Sequence, residues 1–155
     1  MIRMTRLTDY AIVLLTHIAR DRDPAVHNSR DLAAAVRLPL PTVNKVLKTL
    51  TRKGLLLSHR GVKGGYRLAR SPEDVSVAEI ISATEGPVAI TECSTSVPDS
   101  CEHEGLCPLG ENWQRINQTI LDALDKITLS EMAQPAAPLS HVTVLRPHVG
   151  GVGAS

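Results

Sequence analysis

Cys93, Cys101 and Cys107 are the three cysteines of the 155-residue chain. Seven residues separate the first pair and five the second. A structural zinc site is usually built on cysteines two to four residues apart, so these intervals do not match a zinc knuckle. They suit a loop that wraps a larger inorganic core. Iron–sulfur clusters favour thiolate ligands, and three thiolates leave one coordination position for a weaker ligand, which is the weak point a sensor needs. The spacing by itself leaves three assignments open: a cluster, a zinc ion completed by His103, or three unconnected thiols that are structural or redox-active.

A second chemistry is carried by cations. From Arg30 to Arg70 there are ten Lys or Arg residues and one acid, Asp31, whereas from Ser71 to Glu131 there are twelve acids and two bases, Arg115 and Lys126. A chain that is nearly neutral overall but split in this way presents one surface to a polyanion. Within the basic half, Lys45, Lys48 and Arg52 recur on one helical face, with Asn44 at its edge and Thr42 near the start of the same helix. Such residues meet phosphates and base edges in a major groove, and Asn is suited to adenine. Arg60 and Lys63 lie in a glycine-rich tip that can approach a backbone or a minor groove. His17 and His59 read as packing or surface residues, and no nucleophile, base and orienting group stand together as an enzyme would need.

These residues need elements to hold them. Thr8 is placed as the cap of a first helix in which Ala11, Leu14, Leu15 and Ile18 make a buried stripe. Ser29 is placed to cap a short second helix, RDLAAAV, which is broken at Arg37-Leu38-Pro39-Leu40. Pro41 opens a third helix that stops at Gly54, with Val43, Val46, Leu47 and Leu50 facing a core. Short helix, break, longer helix is the helix-turn-helix plan. Two strand-like runs, 55–59 and 66–69, flank the tip 60–65 and form a β-hairpin in the position of a wing. Ser76 and Glu79 spell a capping box for a helix ending at Gly86. Pro108 is placed to open a last long helix, 108–132, with a seam at Trp113, Ile116, Ile120, Ala123 and Ile127, and Leu124 beside it. That seam either pairs with a partner helix or packs on its own domain; two-fold DNA sites favour pairing.

The expected fold is therefore mainly α: a winged helix-turn-helix DNA-binding domain (1–86), a cysteine loop (87–107), a dimerisation helix (108–132) and a disordered tail (133–155). Aromatics are Tyr10, Tyr66 and Trp113 alone, so the core is aliphatic. The N-terminus MIRMTRLTDY shows no signal peptide, and no apolar run approaches the roughly 20 residues of a membrane span. A cytoplasmic protein that binds double-stranded DNA and no membrane is expected, with its cysteines kept reduced.

The chain resembles the IscR/NsrR-type winged-helix regulators, the Rrf-two family. The resemblance covers residues 1 to about 132. It rests on LTDYAIVLL, LAAAVRLPLPTVNKVLKTLTRKGLL, RGVKGGYRLAR and the three cysteines before the last helix. The stretches TECS, CPLGENWQRIN and SHRGVKGGYRLARSP look most like the branch that regulates the Suf iron–sulfur assembly operon. The resemblance implies a homodimeric repressor with an iron–sulfur cluster, [2Fe-2S] or [4Fe-4S], on Cys93, Cys101 and Cys107. It places DNA-reading positions near Pro39, Pro41, Thr42, Asn44, Lys45 and Arg60. Two departures stand out. IscR has a histidine ligand three residues after its last cysteine, where this chain has Gly110. In NsrR-like members a carboxylate from the first helix of the partner subunit is the fourth ligand, a position that aligns with Asp9; His103 and Glu104 are the local alternatives. Pro39 and Pro41 replace side-chain donors of IscR, so the base preferences of IscR do not carry over.

Overall fold

The computed structural model describes residues 4–21, 26–91, 94 and 108–135. Among these residues, six helices and one hairpin run in the order α1 (Arg6–Arg20), α2 (Ser29–Val36), α3 (Leu40–Arg52), β1 (Leu56–His59), β2 (Gly65–Leu68), α4 (Val77–Glu85), α5 (Gly110–Asp125) and α6 (Leu129–Ala133), with a 3₁₀ turn at Pro72–Asp74. The mainly helical winged-helix plan is the expected one.

Helical spacing of aliphatic residues builds the core. Ala11, Leu14, Leu15 and Ile18 from α1 meet Val43, Val46, Leu47 and Leu50 from α3, and Leu32, Leu55, Leu56 and Ile80 close around them. α2 and α3 are joined through Arg37, which sits in the left-handed region at φ 55°. Its N–H bonds back to Ala34 O, and Pro39 and Pro41 then start the next helix. The hairpin is antiparallel, with Leu56 opposite Leu68 and His59 opposite Gly65. His27, in the connection before α2, exchanges two backbone hydrogen bonds with Tyr66 at 2.9 and 2.8 Å, so the wing is tied to the helix-turn-helix from its outer side.

Three sequence expectations are corrected. Thr8 does not cap α1. The helix begins at Arg6, with Thr5 in the cap position three residues earlier, and Thr8 is buried, bonded to the Thr84 hydroxyl at 2.8 Å and to the Glu85 carboxylate. Asn28, not Ser29, caps α2, its side chain accepting from Asp31 N–H at 2.9 Å. The helix expected over 108–132 is two helices. Pro108 and Leu109 form a turn, α5 ends at Asp125, and a new capping box of Thr128 and Glu131 starts α6. The chain is pinned at that break, because Val77 N–H bonds to Ile127 O at 2.9 Å and Leu129 N–H to Val75 O at 2.8 Å. Leu129 is fully buried in the core, and Arg20 Nε donates to Ala133 O at 2.8 Å, so α6 lies on α1.

The expected seam on α5 is also redistributed. Ile120 and Leu124 line a hollow of about 380 Å³ with Ile81, Val88, Ile90 and Glu85. Ile116 and Ile127 stay more than two-fifths exposed, and Ala123 is exposed as well. At 100° per residue Ile120 with Leu124 and Ile116 with Ala123 are two adjacent stripes of α5, and Ile127 lies just past its end. One stripe faces the body of the same chain and the other faces outward. The tail expected over 133–155 lies outside the described residues after Pro135, as do Cys93, Cys101, Cys107, His103 and Glu104.

Candidate nucleic-acid interface and cysteine segment

α3 buries its aliphatic stripe completely and leaves Lys45, Lys48 and Arg52 exposed, with Thr42 and Asn44 half-buried. The helix can hold this arrangement because its polar residues bond inward: Thr49 donates to Lys45 O at 3.1 Å and Thr51 to Leu47 O at 2.7 Å. Lys48 and Arg52 share an open cleft of about 430 Å³ with Thr51, Ser58 and Tyr66, so α3 and the hairpin form one surface. Two cations and three hydroxyl-bearing residues line that cleft, and no acid does, which is the donor set a phosphate backbone meets.

The hairpin tip carries Arg60 and Lys63, both exposed. Its turn is tight. Gly64 N–H bonds to Gly61 O at 2.9 Å, and a Cβ on Gly64 would lie 2.4 Å from His59 O and 2.8 Å from Gly61 O. Only glycine fits there, and the turn thereby holds its cations away from the body. Below the tip, Arg67 Nε donates to His59 Nε2 at 2.9 Å, on the face of the hairpin opposite the Ser58 and Tyr66 side chains of the cleft. Arg70 is turned away from this surface; it pairs with Glu79 and donates to Asp74 O at 3.2 Å. Glu79 therefore spends its carboxylate on Arg70, and of the expected capping box the Ser76 half is present, accepting from Glu79 N–H at 3.2 Å. Asp31, the lone acid of the basic stretch, sits in the first turn of α2, where it favours the helix dipole.

Sequence reasoning missed Arg67, Ser58 and Tyr66. Strand alternation at 66–69 could have placed Arg67 and Tyr66 on opposite faces of the hairpin, but no local signal could have shown that His27 bridges to Tyr66.

The three cysteines all lie outside the described residues. Among the described residues no group of three or more His, Cys, Asp or Glu is arranged to hold a metal. The start of the cysteine segment is described as it leaves the fold. It runs on from α4 through Pro87, Val88 and Ile90, and that path is fixed by Asn117, the buried residue of α5: its amide donates to Val88 O and accepts from Ile90 N–H, both at 3.1 Å. Sequence reasoning missed Asn117 as well. Asp9 is exposed in the first turn of α1. The α1 start it sits on is tied to the end of α4 by Thr5 N–H and the Thr8 hydroxyl, both donating to Glu85. The Thr8 hydroxyl first, and then Thr5 N–H, hold the Glu85 carboxyl below its ordinary range. The donor set of the segment, three thiols with carboxylate and imidazole side chains nearby in sequence, is chemically suited to an iron–sulfur cluster.

Comparison with known proteins agrees with this arrangement. Residues 4–135 match the Rrf2 family, described as an iron-dependent transcriptional regulator. A putative HTH-type transcriptional regulator, rrf2-like, of Rhodobacter capsulatus is 30% identical over 146 residues, covering 88% of this chain and 97% of that protein. The HTH-type transcriptional regulator NsrR of Bacillus licheniformis is 28% identical over 130 residues, covering 84% and 91%. The solved structure of CymR, the global cysteine regulator of B. subtilis, superposes with a TM-score of 0.67 at 23% identity, covering 86% of this chain and 97% of that one. That of T. potens IscR does so at 0.64 and 24%, covering 88% and 94%.

Proposed function

The chain belongs to the Rrf2 family of DNA-binding transcriptional regulators, and we propose that it is a homodimeric, cytoplasmic repressor of iron–sulfur (Suf) assembly genes whose operator affinity is set by a cluster on Cys93, Cys101 and Cys107. It is a regulator and not an enzyme. The observation that carries the DNA-binding part is the acid-free cationic surface shared by α3 and the hairpin. Thr42, Asn44 and Lys45 take base edges or phosphates in the major groove, Lys48 and Arg52 take phosphates, and Arg60 and Lys63 reach the backbone or the minor groove. Residues 1–86 act as the reading head, 87–107 as the sensing segment, and the outward-facing Ile116 and Ala123 of α5, with Ile127 just past its end, as the pairing surface. No helix among the described residues is long and apolar enough to cross a membrane.

The iron reading is supported by the donor set and by the family description as iron-dependent. A bound cluster supplies a centre whose ligands change with iron supply, oxygen or nitric oxide. The chain supplies three thiolates, and Asp9 of the partner subunit is the proposed fourth ligand. A carboxylate is a poor match for soft iron–sulfur chemistry and leaves more readily than a thiolate. Asp9 lies on α1, whose start is tied to α4 through Glu85, so a cluster held there would be coupled to the reading head.

Anaerobic purification tests the cluster directly. A brown protein with iron and inorganic sulfide is expected, its visible absorption lost when any one of the three cysteines is changed to serine while helical circular dichroism persists. A colourless protein carrying zinc, or carrying no metal, overturns the cluster in favour of a zinc-stabilised or thiol-based regulator.

A further inference from the structure

Asn117 is 5% exposed, yet it is a polar residue on a helix whose other side chains all retain some solvent contact. An amide is removed from water without loss only when its donor and its acceptor are both satisfied. Here both are satisfied by one segment, through Val88 O and Ile90 N–H. The carbonyl of residue 88 can only accept and the N–H of residue 90 can only donate, so the orientation of the carboxamide is fixed by its partners. A carboxamide carries the same donor and acceptor as a peptide unit. It therefore holds residues 88–90 as a neighbouring strand would, but with a single side chain. No aliphatic residue makes either bond, and aspartate makes only one.

This clamp sits at the entrance to the cysteine stretch. Three residues after Ile90 comes Cys93, and the stretch bearing the three cysteines returns to the same helix at Leu109. Leu109 and Asn117 are eight positions apart, about 12 Å along the helix axis. Both ends of the cysteine stretch are thus referred to one rigid element, one by chain continuity and the other by the Asn117 amide. Ile120, three residues further on the same side of α5, lines the same hollow as Val88 and Ile90, so the clamped stretch lies beside this helix.

We propose that Asn117 is the positioning residue at the entrance to the cysteine segment: its amide sets the register of residues 88–90 on α5, the described stretch that leads into Cys93, and loss of that register would alter how the cluster is held. This rests on the cluster reading above. The substitution Asn117→Leu keeps the volume and removes both hydrogen bonds. In cluster-free protein, amide hydrogen exchange at Ile90 should quicken about tenfold, as expected for loss of one buried hydrogen bond, with amides in α1 and α3 unchanged. In protein reconstituted with ferrous iron and sulfide, the visible circular dichroism should change and iron loss to a ferrous chelator should quicken about tenfold. Asn117→Asp, which keeps the acceptor for Ile90 N–H, should fall between parent and Asn117→Leu, and it carries the test if Asn117→Leu does not fold. Unchanged exchange at Ile90 overturns the clamp whatever the colour of the protein. Faster exchange with unchanged visible circular dichroism and iron loss overturns the positioning role. A parent that takes up no cluster overturns the cluster reading and the positioning role with it, and the exchange data still decide the clamp.

Discussion

Glu85 accepts hydrogen bonds from the Thr8 hydroxyl and from Thr5 N–H, and these hold its carboxyl below the ordinary value of 4.5. A carboxyl whose pKa is lower in the folded state than in the unfolded one stabilises the fold when ionised. That contribution is complete above the ordinary value and is lost as the pH falls through the folded one. Urea midpoints of Glu85→Gln and parent should therefore differ at pH 7 and converge as the pH falls below the ordinary carboxyl range and through the lowered folded value; a constant difference down into acid would place the effect elsewhere. On the DNA side, Lys45→Ala and Lys48→Ala should each reduce the slope of log K against log[salt] by about 1 for a phosphate contact, with the melting temperature kept. An unchanged slope and affinity in both would remove α3 as the reading face. At this scale the cations were legible, because charge and helical spacing are local properties. The polar contacts were not. Thr8 precedes an acid and an apolar run, which is how a cap reads, but its partners are Thr84 and Glu85, more than 70 residues away. Asn117 gives no local signal for the same reason: its partners, Val88 and Ile90, lie 29 and 27 residues away.

The helices with strong aliphatic stripes, α1 and α3, could be read from periodicity because burial on one face leaves a 3.6-residue mark. The hairpin could be read from its glycines. Its tip is a sharp test: Gly64→Ala brings a Cβ to 2.4 Å from His59 O. That variant should keep its helical circular dichroism while losing most of its DNA affinity. Parent-like binding would show that the tip does not touch DNA. The last helix was read too long. Its true break is marked by Thr128-Leu129-Ser130-Glu131, a capping box that directly follows an apolar pattern, since Ile127 carries the helical spacing up to the turn. The two parts should respond differently to substitution. Leu129→Ala removes a fully buried side chain and should cost about 2–5 kcal/mol in denaturant unfolding. Ile116→Asp changes a residue that is 43% exposed in the single chain. It should leave the fold in place and shift sedimentation from dimer to monomer, because pairing would bury an unpaired carboxylate. A dimer that survives Ile116→Asp would move the pairing surface off this stripe.

Across the whole molecule the charge split maps onto the fold. The basic stretch supplies α3 and the hairpin, and the acidic stretch supplies α4, α5 and the turn between α5 and α6. The sequence order of these parts was legible, but their closure was not. α6 returns to α1, and the start of α1 is tied to the end of α4, from which the cysteine segment departs. On the proposed reading, α4 and α1, both packed on α3, are the described elements through which a change in that segment would reach the DNA-binding surface. For such a path to regulate, the cluster must interact differently with the DNA-competent and DNA-incompetent states. The central claim is therefore tested by one titration. The protein selects a duplex from a random-sequence pool, and fluorescence anisotropy measures the affinity of cluster-loaded and cluster-free protein for that duplex, anaerobically and at one salt concentration. The two forms should differ in Kd by a factor of about 5 or more; equal affinities from a protein shown to carry its cluster would contradict the account.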